Sequence, residues 1–157
     1  MATLNELIED FLAQKRIAVA GVSRSGEGTA NLIYRKLRDS GYQVFALNPQ
    51  ATEIEGDTCY PNLIAIPGGV AGVVVATTPE VTLTIAQECV DLGIPRIWMH
   101  RSFGPGSVSE EAVALCRRHN MQVIDGACPM MFCQPVDMAH ACMRWVLRVT
   151  GGLPKVG

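Results

Sequence analysis

A doubly wound α/β fold, one domain with helices on both faces of a mostly parallel sheet, is predicted by three observations. Short apolar, β-branched runs (17–22, 70–77 and 96–99) recur along the chain and read as strands buried on both sides. Between them lie amphipathic stretches with helix-start and helix-stop signals, and this alternation is the pattern of a parallel sheet with crossover helices. The length of 157 residues with 48% hydrophobic content suits one domain burying roughly 70% of its unfolded surface.

The elements follow in order. Thr3 with Glu6 forms a capping box, and Leu4, Leu7, Ile8, Phe11 and Leu12 repeat at helical spacing. Ile17–Val22 reads as the first strand. A glycine-rich turn with Gly21, Gly26 and Gly28 opens a helix from Thr29 or Ala30 to Ser40, closed by Gly41. Tyr42–Leu47 is the second strand and ends in Asn48-Pro49. Residues 54–60 read as a turn followed by a short strand, and 62–66 as a single helical turn. Val70–Thr77 is a buried strand, and Pro79 starts a helix whose apolar stripe is Val81, Ile85, Cys89 and Leu92. A strand at Arg96–Met99, a helix from Ser107 or Ser109 to about Asn120, a strand at Met121–Ile124 and a helix at Pro135–Val149 complete the Rossmann-like series. The domain is expected over 1–150, with 151–157 as a flexible tail.

Right-handed crossovers place every strand-to-helix loop on one edge of such a sheet. A ligand belongs there, outside the carboxyl ends of the strands. The loops at 21–29, 48–50, 77–79 and 99–109 converge on that edge, joined by the segment after Ile124. Glycines at the first turn let backbone N–H groups approach a ligand, and the helix start behind them carries partial positive charge. Together they favour a phosphate or pyrophosphate.

The spacing is not that of a dinucleotide fingerprint. The glycines at 21, 26 and 28 depart from Gly-x-Gly-x-x-Gly, and the second strand ends in Asn48 rather than an acidic residue. Both departures weigh against NAD and are compatible with a ribose that carries a phosphate.

Charge and composition exclude other classes. A net charge of −2 without a basic cluster gives little support to nucleic-acid binding. The apolar runs are too short to span a bilayer, and the N-terminus lacks an export signal, so a cytoplasmic protein is expected. The six cysteines are expected as free thiols, and their spacing, with His119 and His140, does not match a zinc site. His100 has no orienting carboxylate or nucleophile evident in the sequence, so no catalytic residue is assigned. Met130, Met131, Met138 and Met143 read as core fillers.

The order and spacing of the Gly21-Val22-Ser23-Arg24 turn, Leu47-Asn48-Pro49, Ile54-Glu55-Gly56, Tyr60-Pro61-Asn62-Leu63, Pro79, Ile97-Trp98-Met99 and Asp125-Gly126-Ala127-Cys128-Pro129 resemble the small stand-alone CoA-binding domain proteins. Their fold is similar to that of the CoA-binding domain of the succinyl-CoA synthetase α subunit, and the resemblance covers about residues 5 to 145. It implies that Gly21, Val22, Ser23 and Arg24 cradle the diphosphate of CoA or an acyl-CoA. By the same resemblance Asn48 and Pro49 line the adenosine side, Thr77, Thr78 and Pro79 face adenine or the pantetheine arm, and Met99 lies near the groove.

Two departures stand out. Gln50 occupies a position that is often basic in the family, and the 100–106 segment differs from the commoner short turn. Arg101 or Arg24 is the expected substitute for the missing charge. Cys128 falls near the same edge, where it either faces the pantetheine thiol or is a buried, inert cysteine. The expected function is a CoA or acyl-CoA binding protein without catalytic activity of its own. Two alternatives stay open, a subunit of an acyl-CoA ligase or thiol-transfer enzyme and a redox-sensor module reading NAD(H). A homodimer or a separate protein partner is compatible with each.

Overall fold

The computed structural model describes residues 2–155. Its seven-stranded sheet has the order β3-β4-β2-β1-β5-β6-β7, formed by β1 (Arg16–Ala20), β2 (Gln43–Leu47), β3 (Glu53–Ile54), β4 (Asp57–Tyr60), β5 (Gly72–Val75), β6 (Arg96–Met99) and β7 (Gln122–Asp125). Every pairing is parallel except the β3–β4 hairpin, whose turn residues Glu55 and Gly56 both have positive φ. That turn chemistry suits a two-residue hairpin. It makes an edge pair out of the stretch expected as a turn and a single strand.

The helices are α1 (Leu4–Leu12), α2 (Thr29–Asp39), α3 (Pro79–Leu92), α4 (Glu110–Arg118) and α5 (Met138–Thr150). The Thr3–Glu6 capping box is present, and Gly93 ends α3 in the left-handed conformation. The last helix begins three residues later than its sequence suggests. The Asp137 side chain accepts from the His140 N–H and sets the start there, while Pro129–Met131 forms a separate 3-10 turn.

Alternation along the central strands divides the core into two layers. On one face Ile17, Val19, Val74 and Trp98 pack with Phe11 of α1, Ile33 and Tyr34 of α2, and Leu147 of α5. On the other Ala18, Val73, Val75, Ile97 and Met99 pack with Ile85 and Cys89 of α3 and Cys116 of α4. Phe11 meets Trp98 edge to face at 5.4 Å between centroids, a favoured aromatic geometry. Gly72 makes room for the Phe11 ring, which would lie 2.8 Å from a β-carbon at that position. An Arg96–Asp10 ion pair of 2.6 Å fastens α1 to the sheet.

The C-terminal segment expected to be loose lies against the body as far as Pro154. The Gly152 N–H donates to the Leu147 carbonyl, Leu153 packs on the core and Pro154 is buried, so apolar contact holds the segment. Residues 156 and 157 of that expected tail lie outside the described residues. All six cysteines are free, and only Cys142 is exposed. Among the described residues no helix is long and apolar enough to cross a membrane.

Truncation of Phe11, which is 2% exposed, removes a ring from between α1 and the sheet. Phe11→Ala is expected to cost about 3–5 kcal/mol in urea unfolding.

Candidate functional site

β1 and β5 are neighbours whose chains leave toward opposite faces, β1 into α2 and β5 into α3. This is the switch point of the sheet, the place where open α/β sheets ordinarily take their ligands. The strands stay paired to their ends, with the Ala76 N–H donating to the Ala20 carbonyl at 3.0 Å. A β-carbon on Gly21 would lie 2.1 Å from the Ala76 carbonyl oxygen, and Gly21 has φ of +105°. Only glycine meets both demands.

The turn beyond Gly21 is held by side chains from beneath. Asn31 is fully buried in the first turn of α2; its Oδ1 accepts from the Ser23 N–H at 2.8 Å, and its Nδ2 donates to the Ser23 carbonyl and to Glu55 Oε1, each at 2.9 Å. Ser23 Oγ lies 2.9 Å from Ser25 Oγ and donates to the Glu27 carbonyl. Val22 is buried, whereas Arg24 is exposed at the crest of the turn. Gly28 is the N-cap of α2, with no side-chain hydrogen bond to the helix start. The first N–H groups of α2 therefore stand uncapped behind a preformed turn. That donor set suits an oxyanion.

The hairpin braces the same turn. Glu55 pairs with Arg35 at 2.7 Å, and Arg35 also donates to the Gly26 carbonyl. The Asn31 amide and then the Arg35 charge hold the Glu55 carboxyl below its ordinary value. Asp57 accepts from Arg38 and from the Tyr34 hydroxyl, which hold its carboxyl low as well, while burial pushes Tyr34 upward. Sequence reading missed Asn31, Glu55 and Arg35 as a unit. The signal available was a polar Asn on the otherwise apolar face of α2, three residues past the last glycine of the turn.

The other predicted residues fall into two groups. Asn48 Nδ2 donates to the Val22 carbonyl at 2.9 Å, and its Oδ1 accepts from the Gln50 N–H. Its amide thus joins two edge loops, with Pro49 exposed beside it. Thr77 lies next to Thr78 and Pro79 at the start of α3. Its hydroxyl is 3.1 Å from that of buried Thr82, which donates to the Ser107 carbonyl at 2.7 Å and ties down the long loop after β6. These residues share the switch-point edge with the first turn.

Met99, Arg101 and Cys128 lie farther along the sheet, on or after β6 and β7. Met99 is fully buried in the α3–α4 layer and offers no surface to a groove, because its place on β6 points inward. Arg101 follows β6, three strand positions from β2, or about 14 Å at ordinary strand spacing. Arg24, which follows β1 beside β2, stands nearer to Gln50 in the strand order than Arg101 does. Arg101 bridges by its backbone to Ala127 and borders a cleft of about 550 Å³ shared with Ser102, Asp125 and Leu153. Cys128 is 2% exposed, and burial pushes its thiol up to about 11, which leaves an inert thiol. Burial holds His100 below the ordinary histidine range; its Nε2 is 3.3 Å from Ser102 Oγ. Asp137 instead partners His140, at 2.6 Å.

With this geometry established, the comparisons with known proteins are specific. A family model described as a CoA binding domain matches residues 15–134. The uncharacterised YneT protein of Bacillus subtilis is 28% identical over 139 residues, 88% of this chain and 95% of that protein. An ADP-forming acetate–CoA ligase of Archaeoglobus fulgidus is 29% identical over 90 residues, which are 55% of this chain but only 13% of the ligase. A hypothetical protein from Pyrococcus horikoshii shares the fold with a TM-score of 0.74 at 24% identity, covering 83% of this chain and 92% of that one.

Replacing Asn31 with Ala strands the Ser23 N–H and carbonyl. The variant is expected to lose about 1–3 kcal/mol of stability in denaturant titration. Glu55 and Asp57 both titrate lower in the folded chain than their ordinary values of 4.5 and 3.8. The stability they supply is therefore complete above those values and lost as pH falls through the lowered ones. Glu55→Gln is expected to flatten that acid limb when unfolding is followed from pH 6 to about 2.

Proposed function

This chain belongs to the CoA-binding domain family, and from that premise we propose that it binds CoA or an acyl-CoA at the switch-point edge without chemistry of its own. The observation that carries the reading is the uncapped start of α2 behind a turn already fixed by Asn31 and Asn48. The α2 N–H groups and the Gly21–Arg24 turn take the diphosphate. Asn48 positions the turn, Pro49 lines the adenosine side, and Thr77, Thr78 and Pro79 face the adenine or the pantetheine arm. Arg24 follows β1, one strand from β2, and is the cation in reach of a 3′-phosphate that Gln50 does not meet. CoA supplies a carrier thiol, and the protein supplies recognition. The setting proposed for it is the cytoplasm.

A second reading has the chain acting as one part of an acyl-CoA ligase or thiol-transfer assembly, with the reactive groups on another chain. The likeness to a segment of an acetate–CoA ligase supports it. A reader of NAD(H) is less well supported, since Asn48 stands where a carboxylate would hold the ribose hydroxyls.

Thermal unfolding with CoA, acetyl-CoA, dephospho-CoA, NAD and NADH tests the proposal. CoA at 100 times its dissociation constant is expected to add about 2.7 kcal/mol and raise Tm by about 5–10 °C. Dephospho-CoA is expected to give a smaller shift, and Arg24→Ala to remove that difference while leaving the unliganded Tm unchanged. A shift with NADH alone overturns the reading.

A further inference from the structure

The helix α5 carries an apolar outward face, and Met138, expected as a core filler, lies on it. Met138 is 88% exposed, Trp145 64% and Val149 66%, and Cys142 is exposed with them. Their spacing of four, three and four residues places all four on one stripe of an α-helix. Ala139, Ala141 and Val146 flank the stripe, and Arg148 is the one charged residue on that outward side. Toward the body the same helix sends buried Leu147 and part-buried Met143 against the core, and Arg144 donates to the Met131 carbonyl. A surface helix ordinarily turns polar residues outward, whereas α5 is apolar on both sides. An apolar face of this kind marks an interaction surface.

We propose that this face of α5 pairs with the α5 of a second copy of the chain, antiparallel across a two-fold axis between Cys142 and Trp145. The four-three-four spacing is the repeat by which one helix packs along another. Under that axis Met138 meets the partner copy's Val149, and Cys142 meets its Trp145, so a small residue faces the largest one. The alanine flanks permit close approach of the two backbones.

Charge selects this orientation. The N-cap carboxylate of Asp137 stands at one end of the stripe and Arg148 at the other. Antiparallel pairing brings each acidic end to a basic end and opposes the helix dipoles, whereas parallel pairing juxtaposes like charges. The contact is isologous and closes on itself, as a two-fold interface must. It spans about three helical turns, which is small for a stable interface, so association is expected to be concentration-dependent. The inference does not rest on the ligand proposed above.

Sedimentation of the full chain from about 1 µM to about 500 µM tests it. The mass is expected to rise from 16.9 kDa toward twice that value. Trp145→Glu is expected to remain a single chain throughout, with circular dichroism and Tm unchanged at about 1 µM, because the side chain replaced is exposed. Register is read separately. In a Cys142→Ser background, the Met138→Cys/Val149→Cys pair is expected to oxidise to a linked dimer far more completely than either single variant. A single-chain mass at every concentration overturns the proposal, as does a dimer indifferent to Trp145→Glu. Binding of a single-chain protein to phosphatidylglycerol vesicles also overturns it and gives the face to a lipid surface.

Discussion

The approach of Gly21 to the Ala76 carbonyl is the constraint on which the rest of the architecture depends. β1 and β5 run side by side to their last residues, then diverge to opposite faces of the sheet. A side chain at position 21 would force them apart at the point of divergence. Everything placed by that divergence follows from it: α2 over one layer, α3 over the other, and the sheet edge between their starts. A two-layered core and a switch-point edge are thus one geometric decision, made where the chain has no side chain at all.

The polar groups at this edge are mostly committed to the protein itself. Asn31, Asn48 and Ser23 each bond backbone of the first turn or of its neighbours. Arg35, Glu55, Arg38 and Asp57 tie α2 to the edge hairpin. What remains uncommitted is backbone N–H at the helix start and the exposed guanidinium of Arg24. Recognition by such a site relies on position and backbone dipoles more than on a crowd of side chains.

Much of the fold was legible because periodicity carries it. Buried parallel strands are uniformly apolar, capped helices announce their starts, and both signals are local in sequence. The glycine-rich first turn was legible as a turn, because glycines between an apolar strand and a helix pattern are also a local signal. What was not legible depends on contacts between distant segments. Met99 looks like a groove residue until strand alternation is fixed by its neighbours, and only strand order tells that Arg24 stands nearer to β2 than Arg101 does. The start of α5 was misplaced because Pro135 is a helix-start signal too, and only the Asp137–His140 hydrogen bond decides between them. The brace formed by Asn31 and Glu55 joins residues 24 apart, beyond the reach of any helical or strand period.

The bonds that Asn31 makes with both the N–H and the carbonyl of Ser23 have a kinetic consequence. A loop that must be ordered by its ligand slows association and subtracts the ordering entropy from affinity. Here the turn is ordered by a residue of the helix it precedes, and that residue is sealed from solvent. An anion taken up by a turn ordered in this way would not have to order it first, so under the proposed function selectivity among anions would lie in how long each one stays.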